Sequence, residues 1–176
     1  MAHGDLKTVG PAGTLPRYLV SGGTAILAGE PVDKTTTLST GTISANTWLL
    51  VNADTPVIGT DLFGGVSLEN AELASAGTVL EQFLNCSCPV PEIGRLRGTA
   101  TTQANVDTAS ELALIVGDVT LINGDDTTGA SDGGELFTII ETGTADTSGF
   151  TIVGGNPAVS ELDVVIHPDA YRFDVS

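Results

Sequence analysis

The sequence predicts a mainly β fold: a compact barrel- or sandwich-like body with one short helix and an extended N-terminal arm. Three observations carry this. Short apolar runs alternate with Gly-, Pro- and Asn-bearing turns along most of the chain. Apolar residues make up 41% of the chain and charged residues only 16%, so Val, Ile, Leu and Ala build the core and Thr, Ser, Asn and Gly cover the surface. Thr108 stands three residues before Glu111, a capping box that marks one helix among the strands. At 176 residues, one domain with two possible lobes is the expectation.

The elements follow in order. Residues 1–16, MAHGDLKTVGPAGTLP, have no periodicity, and their glycines and prolines oppose a helix. They read as an extended arm, either a mobile tail or a strap on a neighbouring subunit. RYLV at 17–20 is a strand, Ser21-Gly22-Gly23 a hairpin turn, TAIL at 24–27 the returning strand, and AGEPV at 28–32 another turn. TWLLVNA at 47–53 is a buried strand. LFGGVSL at 62–68 is a strand whose glycine pair predicts a bulge or a close backbone approach. GTVLEQFLNCSCPV at 77–90 is a long strand ended by Pro89 and Pro91, and GRLRGTATTQ puts Arg95 and Arg97 on one face by the period of two. Residues 17–104 thus form a β-rich lobe. A second lobe, 105–176, holds the helix at 108–116, stopped by Gly117, and strands in DVTLIN, ELFTIIE, GFTIV and LDVVIH. Pro157 suits the first position of a helical turn in GGNPAVSE.

The charge is lopsided: 22 acidic residues against six basic ones, net −16. Such a chain is repelled by nucleic acid and anionic membranes, and its natural partners are neutral or basic surfaces or cations. Salt adaptation gives similar acidity. The low charge density opposes disorder. The first ten residues lack an apolar signal segment, and no run approaches the roughly 20 apolar residues of a membrane helix. The chain therefore reads as made in a cytoplasm.

The candidate sites are few. Cys86 and Cys88, at i and i+2, share one side of a strand; they read as buried thiols, with metal, redox or inter-chain roles as alternatives. Asp125, Asp126, Asp132 and Glu135 lie on the Gly-rich loop 123–135 and offer the hard oxygen ligands of Ca²⁺, but their spacing matches no known calcium loop, so a solvated acidic hairpin tip is expected. His3 and His167 have no partner at ligand or catalytic spacing. The chain lacks G-x-S-x-G, H-E-x-x-H, P-loop and dinucleotide motifs, so no enzyme and no cofactor are expected. Arg95 and Arg97 predict an ion pair with an acidic neighbour, in the chain or across an interface.

Several segments together resemble the head decoration, or cement, proteins of tailed bacteriophages. They are YLVSGGTAILAGEPV, the glycine-centred GTDLFGGVSLENAELASAGTVL, RLRGTA, and the capped NVDTASELALIVGD, and they cover roughly residues 17–120. The lobe beyond is longer than in the smallest members. The resemblance implies a β-rich homotrimer bound to the major capsid protein on the outer surface of the virion, stabilising it, with an N-terminal arm ordered on binding. Leu6, Val9 and Leu15 are then candidate contacts of the arm, and Arg95 and Arg97 of the body. The competing expectation is a Ca²⁺-dependent binding or adhesion module of a phage tail or cell surface, working through the acidic loop.

Overall fold

The computed structural model describes residues 6–19, 28–29, 31–34, 47–50, 62–69, 82–120, 122–125, 136–141 and 149–168. In chain order the strands are β1 (Lys7–Val9), β2 (Ala12–Leu19), β3 (Pro31–Lys34), β4 (Thr47–Leu50), β5 (Leu62–Ser67), β6 (Gln82–Pro89) and β7 (Arg95–Thr99). A helix, α1 (Ala109–Ile115), precedes β8 (Val119–Thr120), β9 (Ile122–Asp125), β10 (Leu136–Ile139), β11 (Phe150–Asn156) and β12 (Glu161–Ile166). The fold is mainly β, as the sequence predicts.

Two bodies share these strands. β2, β4, β3, β5 and β6 pair in a closed ring, with β6 returning antiparallel onto β2 from Ala12↔Pro89 to Leu19↔Gln82. The β2–β4 pair is parallel and the remaining pairs are antiparallel. The second body is an antiparallel sheet in the order β1-β7-β12-β11-β8. β9 and β10 form a separate antiparallel pair, joined to the end of β7 by a bridge between Ala100 and Ile139.

The sheet obeys the period of two. Leu96, Leu162, Val164, Ile166, Ile152 and Phe150 point inward and are buried, while their neighbours along each strand face the other way. The inward set packs with Leu6, Ile122, Ile139 and two barrel residues, Phe63 and Val66. Phe63 and Phe150 meet edge to face at 5.6 Å, so one core spans both bodies. The expected bulge explains how Phe63 and Val66 share a face. The β3–β5 register slips at Gly64, and the extra residue restores the parity of 63 and 66. Gly65 sits at φ 114°, and a Cβ there would lie 2.7 Å from Cys88 Sγ, so the close approach holds too.

Helix α1 forms where the capping box places it. Thr108 Oγ1 accepts from the Glu111 amide at 3.3 Å, and Glu111 Oε2 accepts from the Thr108 amide at 3.1 Å. The hydrogen bond from the Thr108 side chain lowers the Glu111 pKa, and the hydrogen bond to Glu111 raises that of Asp107. A 3-10 turn at Pro157–Val159 starts on the expected proline.

Three expectations are corrected. The arm is not free: Lys7–Val9 pairs with β7, and Ala12–Pro16 pairs with β6 as the first part of β2. The physical reason is that its small residues and its prolines are compatible with extended backbone, and Leu6 repays the ordering by entering the core. The lobes do not divide at 104, because β1 and β7 belong to the sheet that carries the C-terminal strands. In AGEPV Ala28–Gly29 is turn, but Pro31 already begins β3. The returning strand at 24–27 and the turn at 21–23 lie outside the described residues.

Candidate functional site

The alternation that buries Leu96 turns Arg95 and Arg97 to the opposite face of the sheet. Register then assembles their neighbours. Lys7, Arg97, Asp163 and Gly154 stand in one row across β1, β7, β12 and β11. Val9, Arg95, Val165 and Thr151 form the next row. Arg97 donates from Nε to Asp163 Oδ1 at 2.7 Å and from Nη2 to Oδ2 at 2.9 Å, a two-pronged pair. Arg95 Nη1 lies 3.6 Å from the same Oδ2.

Exposure separates the three side chains. The Asp163 side chain is only 4% exposed, against 34% for Arg97 and 49% for Arg95. A carboxylate so buried is tolerable only if hydrogen-bonded and charge-paired, and Arg97 supplies both. The hydrogen bond to Asp163, reinforced by its charge, raises the Arg97 pKa, so the guanidinium stays charged. The sequence expectation of an ion pair is met within the chain. Its partner was not singled out beforehand. The signal was the one charge inside the apolar run LDVVI, which had to be paired. Lys7 was likewise missed, because residues 1–16 read as an extended arm and not as a segment carrying the strand beside β7.

A second feature lies at the turn between β6 and β7. The Val90 amide donates to the Pro11 carbonyl at 3.0 Å, Glu92 to Ile166 at 3.0 Å, and Gly94 to Val90 at 2.7 Å. Glu92 is held at φ 64°, a left-handed conformation uncommon for a side-chain-bearing residue. A Cβ on Gly94 would collide with the Pro11 carbonyl and the Val90 amide. The turn is thus closed on itself and tied to two other segments, and it holds Ile93 outward at 63% exposure with Val90 beside it.

The other candidates distribute as follows. Leu15 is exposed on β2, and Val9 is half-buried on the outer sheet face. Leu6 is corrected: at 2% exposure it belongs to the chain's own core, where Gly98 leaves room for it, so it offers nothing to a neighbour. Cys86 and Cys88 are buried thiols packed against Gly65, and Cys88 Sγ donates to the Gly64 carbonyl at 3.3 Å. Asp125 ends β9 opposite Leu136, while Asp126, Asp132 and Glu135 lie outside the described residues. Among the described residues, no cluster of three His, Cys, Asp or Glu could hold a metal, and no helix is long and apolar enough to cross a membrane. His167 is exposed at the end of β12, and its amide donates to the Gly149 carbonyl at 2.7 Å. His3 lies outside the described residues.

The sequence matches no protein-family model and no curated protein.

Proposed function

We propose that the chain is a structural virion protein that binds the outer surface of a phage capsid and stabilises it as a homotrimer, without catalysis. The observation that carries this reading is the braced turn at 90–94. An isoleucine held in water on a turn tied to two other segments loses little entropy when a partner covers it. Burying it fully is worth roughly 1.5–3 kcal/mol, and copies joined in one oligomer dock several such turns together. The continuous core beneath supplies a rigid platform. The segments that resemble phage decoration proteins give the partner its identity: the major capsid protein.

The test is co-sedimentation with expanded capsids assembled without the protein. The native chain should pellet with them, and Ile93→Asp should be retained at least about tenfold less. Equal retention of the two would move the contact away from the turn. Failure of the native chain to bind any capsid formed by the major capsid protein encoded beside it would end the reading. A rise in melting temperature with millimolar Ca²⁺ would then favour the adhesion module.

A further inference from the structure

Three of the chain's six cations, Lys7, Arg95 and Arg97, are neighbours on the outward face of the five-stranded sheet. Only two carboxylates share that face of the paired strands, Asp163 and Glu161, and Glu161 stands at its far end opposite Thr99. Like charges placed directly across paired strands, as Lys7 and Arg97 are, destabilise a sheet. Asp163 offsets this for Arg97 alone. Its Oδ2 already accepts from Arg97, so Arg95 reaches it only at 3.6 Å, and Arg95 remains half exposed. Lys7 is exposed and has no ion pair among the described residues. The face therefore carries unspent donors in a chain of net charge −16.

We infer that this face docks a carboxylate-rich surface of a second copy of the chain, with Arg95 and Lys7 as the contacting cations. Charge complementarity selects the occupant, because 20 of the chain's 22 acidic residues lie beyond Asp163 and Glu161. It also selects the geometry. A two-fold contact of the face with itself would set cation on cation. The contact is therefore head-to-tail, and copies related in that way form a closed ring or a filament. Gly154, beside Asp163, has open space where a Cβ would project, which leaves the neighbouring ground clear for an incoming side chain. The inference deepens the self-association in the proposed function and does not depend on the capsid.

Sedimentation equilibrium of the full chain tests it. Salt would screen both this contact and the general repulsion between acidic copies, so charge substitution is the discriminating variable. The native chain should associate beyond a dimer. Lys7→Glu with Arg95→Glu should weaken association by at least roughly tenfold, and Lys7→Gln with Arg95→Gln by less. The neutral pair keeps the test decisive if charge reversal disturbs folding, and unchanged circular dichroism confirms the fold of each. A native chain that stays monomeric to about 100 μM, a two-fold dimer through this face, or variants that associate as the native chain does would each overturn the inference. Loss of capsid binding with association intact would count only against the capsid reading.

Discussion

The five-stranded sheet and the β5–β6 contact of the barrel are packed by opposite means. The sheet fills its inner face with hydrocarbon: Leu96, Phe150, Ile152, Leu162, Val164 and Ile166 are all buried. Where β5 meets β6, the barrel draws backbones together around small groups, with Gly65 against Cys86, Ser87 and Cys88. The first is sensitive to atoms removed, and the second to atoms added. Residues 6–19 belong to both, because β1 is a strand of the sheet and β2 a strand of the barrel.

The largest effect is expected where the two regions share a segment. Deleting residues 2–16 removes β1, Leu6 and the first five residues of β2. The truncated chain should lose cooperative thermal unfolding and near-ultraviolet dichroism. A truncated chain that melts like the native one would show that the segment only decorates the body.

Next comes a matched pair of substitutions. Leu162→Ala opens a cavity in the sheet core and should cost about 2–5 kcal/mol. Gly65→Ala adds one methyl where φ is 114° and Cys88 Sγ would lie 2.7 Å away, and should cost about 2–4 kcal/mol. Denaturant melts measure both. A neutral Gly65→Ala would contradict the close approach, and a neutral Leu162→Ala would contradict the shared core.

The same contrast explains what the sequence made legible. The sheet's strands announce themselves, since RLRG alternates, LDVVI is a short apolar run, and α1 carries its capping box. The glycine pair 64–65 signalled the bulge because few other reasons put two glycines inside an apolar strand. Residues 6–16 gave no such signal. A strand between two prolines, with Ala, Gly and Thr at its start, looks the same alone as a loose tail, and only the partners β6 and β7 make it a strand. Asp163 was hidden for a related reason: its partner lies 66 positions away by chain and one strand away in space. Self-association and capsid binding depend on surfaces, where composition constrains less than it does in a core.

A smaller effect should mark the outer face of the sheet. Asp163→Asn keeps the shape but removes the charge that Arg97 and Arg95 share. Both arginines reach water, which softens the loss to about 1–2 kcal/mol. If Asp163 were only a filler, the asparagine variant would unfold at the native denaturant midpoint.

The smallest effect sits where the β9–β10 pair joins the sheet. Glu141 is buried at the end of β10, and it accepts from the Thr102 amide at 3.0 Å and from Asn105 Nδ2 at 2.9 Å. Burial opposes its ionisation, but the hydrogen bonds from Thr102 and Asn105 prevail and hold its pKa below the ordinary 4.5. A carboxyl whose pKa is depressed by folding binds its proton more readily in the unfolded chain. Its stabilisation is therefore complete above about pH 4.5 and is lost as the pH falls toward the folded value. Glu141→Gln cannot titrate and keeps one acceptor oxygen of two. It should be about 1 kcal/mol less stable than the native protein at pH 7. As the pH falls below 4.5 the gap should narrow, first because the unfolded glutamate takes up its proton and finally because the folded carboxyl is neutral as well. Urea midpoints from pH 7 to pH 3 follow this directly. A gap that stays constant across that range would mean that the glutamate contributes its shape and not its charge.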